Sequence, residues 1–150
     1  MDTVILHPTD GSPAADKALD YAIKLAVSAD ARLILLHVQQ THGRDIIPAG
    51  AKEFERIEKI RLTEADVLRR AADAMLAHAE QKCRSAGVLR VEPMISEGDP
   101  VGRIIETAKK HGVDTIVMGS RGLGDFAGLL LGSVSHKIAQ LAPCTCIIVR

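Results

Sequence analysis

The residues least readily explained by packing lie in the last third of the chain. Gly119-Ser120-Arg121-Gly122 is followed, after nine residues, by Gly132-Ser133. This pattern spans the junction between an apolar, β-branched run (Val113 to Met118) and a helical pattern from Ser133 to Ala142. Glycines let backbone N–H groups turn toward an anion, serine hydroxyls and an arginine add donors, and a helix N-terminus carries a partial positive charge. Phosphate binding is the chemistry these residue types support at this spacing. A second polar turn, Pro8-Thr9-Asp10-Gly11-Ser12, follows the first apolar run of the chain.

The elements that must position these two segments can be read from hydrophobic periodicity. Thr3 to Leu6 is a short strand stopped by the turn at Pro8. Ser12 is a natural N-cap with Pro13 at the first helical position, and Ala18, Leu19, Ala22, Ile23 and Ala26 follow at helical spacing. Arg32 to Val38 is a near-continuous apolar strand suited to burial on both faces. Gln39 to Gly50 reads as a loop. A long helix is expected from about Ala51 to Ser85, with Phe54, Ile57, Ile60, Val67, Leu68, Ala71, Met75 and Ala79 as its buried stripe and Gly87 as terminator. Val91 to Ser96 is a third strand, which Pro93 marks as an edge. Asp99 and Pro100 open a short helix that Gly112 closes, Val113 to Met118 is the fourth strand, and Thr145 to Val149 the fifth.

Strands alternating with helices call for a parallel sheet covered on both faces, as one domain over residues 1–150. In such open sheets ligands sit beyond the carboxyl ends of the strands, where the strand order reverses. A 3-2-1-4-5 order puts that reversal between the first and fourth strands, so Pro8 to Ser12 and Gly119 to Asp125 would face one crevice.

Composition narrows the partners. The 150 residues hold nineteen basic and nineteen acidic side chains, with 47% apolar and 2% aromatic residues. Balanced charge and few rings argue against nucleic acid. Apolar runs such as Leu33 to Leu36 and Leu129 to Leu131 are too short to span a bilayer, and the N-terminus lacks the basic start of a signal peptide. Cys83, Cys144 and Cys146 are an odd, sparse set, which fits a reduced, cytoplasmic protein.

Other nucleotide fingerprints fit poorly. No lysine follows the late glycines as a Walker A loop requires. Gly122-Leu123-Gly124-Asp125-Phe126-Ala127 matches G-x-G-x-x-A, but Gln140 and Leu141 stand where a ribose-binding acid would be needed. One tyrosine and two phenylalanines leave a flavin unshielded. The first loop is not the Ser-Gly-Gly-x-Asp-Ser loop of pyrophosphatase-type synthetases.

The Pro8-Thr9-Asp10-Gly11-Ser12 turn, the Gly98-Asp99-Pro100 helix start, Val113 to Gly122, Gly119-x-x-Gly122-x9-Gly132-Ser133 and the terminal Pro143 to Arg150 segment together resemble the universal stress protein family, over the whole chain. The glycine spacing is that of its ATP-binding branch. The resemblance implies a Rossmann-like, doubly wound five-stranded parallel sheet in the order 3-2-1-4-5 (adenine-nucleotide α-hydrolase-like), and a homodimer binding ATP or AMP in the stress response. Pro8, Thr9 and Asp10 would line the nucleoside side, with Asp10 serving a ribose hydroxyl or a phosphate-bound Mg2+. Val38 would offer its peptide groups to the adenine edge. Met118, Gly119, Ser120, Arg121, Gly122, Leu123, Gly124 and Asp125 would wrap ribose and phosphates, with Gly119 and Gly122 permitting close approach. Gly132, Ser133, Val134 and Ser135 would hold phosphate oxygens through hydroxyls and N–H groups. The homodimer would pair the strand Cys144 to Val149 with its twofold mate.

His7 and His37 end neighbouring strands, where a polar or packing role outweighs a metal pair that has no third ligand. Cys144 and Cys146 share a face of the last strand and read as buried small residues. No residue is positioned by motif as a catalytic base. Against a nucleotide sensor stand two alternatives: a weak ATPase or nucleotide-dependent phosphotransferase, and a nucleotide-free partner-binding dimer.

Overall fold

In the computed structural model, which describes residues 2–40, 51–123 and 131–150 (side chains of 51–55, 57, 58 and 60–63 excepted), local signals convert directly into elements. The order is β1 (Val4–Pro8), α1 (Pro13–Ala29), β2 (Arg32–Gln39), α2 (Ala51–Ser85), β3 (Arg90–Glu97), α3 (Pro100–Lys110), β4 (Thr115–Gly119), α4 (Ser133–Leu141) and β5 (Thr145–Val149). Ser12 and Asp99 cap α1 and α3, their side chains accepting from the N–H groups of Ala15 and Gly102, each with proline in the first turn. The strands form one parallel sheet ordered β3-β2-β1-β4-β5.

Alternation along the strands splits the core into two layers. Ile5, Leu33, Leu35 and Val117 meet α1 and the C-terminal half of α2 on one face. Val4, Leu6, Ile34, Leu36, Ile116 and Met118 meet α3 and α4 on the other. The central strands are buried on both sides, which explains their unbroken apolar runs. Pro93 lies in β3, an edge strand as its proline requires.

Three expectations need correction. β1 continues to Pro8, which pairs in register with Leu36. Proline is compatible with the strand because its N side faces β4 beyond the last β1–β4 pair, Leu6 with Ile116, where no ladder bond is made.

Among the described side chains of α2 the buried stripe is Ala72, Leu76, Ala79 and Cys83. Of the predicted stripe, Val67 and Leu68 are 59% and 49% exposed, Ala71 is exposed and Met75 half-buried. At 1.5 Å per residue this 35-residue helix is about 50 Å long, against about 27 Å for an eight-residue strand. Its C-terminal turns therefore cover the sheet while the residues before them extend past it. The side chains of Phe54, Ile57 and Ile60 lie outside the described residues.

Cys144 and Cys146 are only half-buried, because β5 is the other edge of the sheet. Burial still pushes both thiols up from their ordinary pKa, and Cys83 up to about 11. None of the three is poised as a thiolate.

Candidate functional site

The β1–β4 ladder joins Ile5 to Thr115 and Leu6 to Ile116 and then ends, whereas β1–β2 pairing continues to Pro8 and β4–β5 pairing to Gly119. The strands diverge here, and the crevice opens between the two polar turns. Its cavity is about 140 Å3 and is walled by Pro8, Leu36, Val38, Ile104 and Met118, with Thr9, Asp10, Gly119, Arg121, Gly122, Val134 and Ser135 among the remaining lining residues. An apolar wall with a few placed polar groups is the usual composition of a small-molecule site.

The first turn is fixed at each residue. Thr9 donates its N–H to the Leu36 carbonyl at 2.8 Å, and its own carbonyl lies 2.9 Å from His37 Nδ1. Asp10 accepts the Ser12 N–H at one carboxylate oxygen and the Leu123 N–H at the other, both at 2.9 Å. The helix cap is Ser12, while Asp10 clamps the two turns together across the crevice. On β2, the Leu36 carbonyl faces β1 and the Gln39 carbonyl takes Gly98 N–H from the β3 side. The alternation between them aims the peptide groups of Val38 past the end of β1, toward the crevice.

The late glycine segment divides into lining and scaffold. Met118, Gly119, Arg121 and Gly122 line the cavity, Arg121 exposed. Ser120 is buried behind them: its N–H donates to Val149, and its carbonyl accepts from Gly132 N–H and Ser135 Oγ. Leu123 is 73% exposed and reaches the site through its N–H to Asp10. Gly132 is the N-cap of α4 and, being glycine, offers no capping side chain, unlike Ser12 on α1 and Asp99 on α3. Val134 and Ser135 line the cavity from that turn, and Ser133 sits exposed beside it. Gly124 and Asp125 lie outside the described residues.

Two predicted roles change. A Cβ on Gly119 would stand 2.8 Å from the backbone carbon and oxygen of Ala14, so α1 requires this glycine by its close approach. The Ser135 hydroxyl has one proton, and backbone carbonyls of Ser120 and Gly132 take it. For an anion at α4 the N–H groups are then the donors, rather than this hydroxyl.

His7 and His37 each direct Nδ1 to a backbone carbonyl, Val117 and Thr9. Burial lowers the pKa of His7 to about 4, outweighing the Val117 carbonyl and the charges of Asp16 and Asp10, which raise it. No group of three His, Cys, Asp or Glu side chains among the described residues could hold a metal ion. Asp10, the residue expected to serve Mg2+, accepts one N–H group at each carboxylate oxygen.

Sequence reasoning missed Ala15, Leu36, Gln40, Pro100 and Ile104. Pro100 and Ile104 carry a weak signal, since the helix after β3 must cross the face that Leu36 and Val38 share. Among the described residues, no helix is long and apolar enough to cross a membrane.

The model of the universal stress protein family matches residues 1–150. The chain is 35% identical over 157 aligned positions to universal stress protein YxiE of Bacillus subtilis, with both chains covered completely. Among solved structures it is similar to hypothetical protein MJ0577, with a TM-score of 0.80 at 27% identity over 99% of this chain and 96% of that one. It is also similar to a universal stress protein in complex with cAMP, with a TM-score of 0.73 at 27% identity over 99% and 97%. Sheet order, crevice and whole-chain match agree: the chain belongs to the universal stress protein family.

Proposed function

We propose that this chain binds an adenine nucleotide, AMP or ATP, in the crevice between β1 and β4, and serves as a homodimeric regulatory module in a stress response. The observation that carries the reading is the junction of two unlike surfaces at one strand split. The apolar wall of Pro8, Leu36, Val38, Ile104 and Met118 suits a purine, and it meets the N-terminus of α4, whose N-cap, Gly132, carries no side chain. The cAMP complex of a structural neighbour supports an adenine ligand.

In this reading the Val38 peptide groups meet the adenine edge, and Pro8, Thr9 and Asp10 bound the nucleoside. Gly119, Arg121, Gly122 and the first turn of α4 surround the phosphates. Arg121 contributes charge, Ser120 and Ser135 hold the segment in shape, and Asp10 keeps the two turns together. Bound ATP would bring Mg2+ on its own phosphates. In this reading the function rests on holding the nucleotide.

The dimer reading follows from the two sheet edges. β3 is protected by Pro93, Arg90, Glu92 and Glu97, whereas β5 (Thr-Cys-Ile-Ile-Val) has neither charge nor proline. An unprotected apolar edge suits pairing with a second copy about a twofold axis. Calorimetry with AMP and ATP tests the nucleotide assignment. Gly132→Val places a branched side chain at the buried N-cap of α4 and is expected to weaken binding at least about tenfold while leaving the dimer intact. Unchanged affinity would refute the phosphate assignment.

A further inference from the structure

We propose that His7 is a positioning residue for the crevice: its imidazole replaces the backbone donor that Pro8 lacks, and so sets the carboxyl end of β4 against β1. Thr9 N–H points to β2, where Leu36 accepts it, and Val4 N–H points to the β4 side, where Asp114 accepts it. Odd-numbered N–H groups of β1 therefore face β2 and even-numbered ones face β4. With Leu6 opposite Ile116, the next donor toward β4 belongs to residue 8, and its acceptor is the Val117 carbonyl. Residue 8 is proline and has no N–H.

A buried carbonyl left without a donor is destabilising, because it has lost its bond to water and gained none in return. His7 supplies the donor, with Nδ1 2.8 Å from Val117 O. A carbonyl only accepts, so Nδ1 carries the proton, and burial keeps the ring neutral. Nε2 is enclosed and has no hydrogen-bond partner among the described residues, and His7 lies outside the cavity lining. The ring thus touches no ligand, and its one hydrogen bond is to β4. The residues after Val117 are Met118 and Gly119, which wall the crevice. Loss of the bond frees the Val117 carbonyl to turn toward solvent and carries that wall with it.

The test compares His7→Leu with His7→Asn, each in the unmodified chain and in a Pro8→Ala background. Its readouts are AMP affinity and hydrogen exchange of the Leu123 amide. His7→Leu is expected to weaken AMP about tenfold and to speed Leu123 exchange. His7→Asn places Nδ2 where the imidazole Nδ1 lies and is expected to stay within about threefold. In Pro8→Ala, where residue 8 again donates, the effect of His7→Leu is expected largely to vanish. Equal losses for Leu and Asn, equal losses in both backgrounds, or lowered melting with unchanged affinity and exchange would each overturn the proposal. The affinity readout rests on the nucleotide reading. If the unmodified protein takes neither AMP nor ATP, that reading fails, and the exchange rates alone decide the role of His7.

Discussion

Gly119 and His7 show how a residue's chemistry depends on what lies behind it. The glycine was legible in the sequence as part of a phosphate pattern, but its requirement comes from the Ala14 backbone, a contact between distant segments that spacing cannot reveal. Gly119→Ala should therefore cost about 1–3 kcal/mol of stability by overpacking, read as a lowered melting temperature with or without nucleotide. An unchanged melting temperature would mean that α1 can retreat. His7 gives a pH dependence whose sign follows from burial. Its pKa is about 4 when folded and near 6.5 when unfolded, so between these values the unfolded chain binds the extra proton. The contribution is complete above pH 6.5 and is lost as pH falls toward 4. Between pH 7 and 5 this removes about 2 kcal/mol, read from urea midpoints, and His7→Asn should remove that part of the slope. The sequence placed His7 at a strand end. Its bond to Val117 depends on a neighbouring proline and on strand order together.

Among the elements, helix starts were the most legible, because Ser12-Pro13 and Asp99-Pro100 are local chemistry. The seated face of α2 was not legible. Its apolar residues are spread around the helix, and which of them are buried depends on where the sheet ends. Leu76→Ala should cost about 2–4 kcal/mol, since its side chain is in the core, and Leu68→Ala less than about 0.5 kcal/mol. Denaturation midpoints check the contrast, and comparable losses would show that the helix is seated elsewhere. The β1 boundary was misplaced for a related reason: Pro8 reads as a breaker locally, but its N side faces β4 just past the last paired residues, so the missing donor breaks no bond of the β2 ladder.

For the molecule as a whole, β/α alternation was enough to anticipate a parallel sheet covered on both faces, while the 3-2-1-4-5 order came with the family resemblance and, once adopted, put the two turn segments at one crevice. The walls contributed by α3 were not legible, since they depend on how the second layer packs. The free edge carries the assembly prediction. Val149 O and Thr145 N face β4, through Ser120 and Asp114, so the N–H of Cys146 faces outward. Cys146→Pro removes that outward donor while sparing the β4 ladder, and sedimentation should show a monomer with AMP binding retained. A persistent dimer would place the interface elsewhere. The most direct test of the central claim is calorimetric titration of the purified chain with AMP, beside Gly132→Val. Saturable binding of one nucleotide per chain is expected, weakened at least about tenfold by the substitution; no binding to the unmodified chain, or equal binding to both, would contradict the nucleotide assignment.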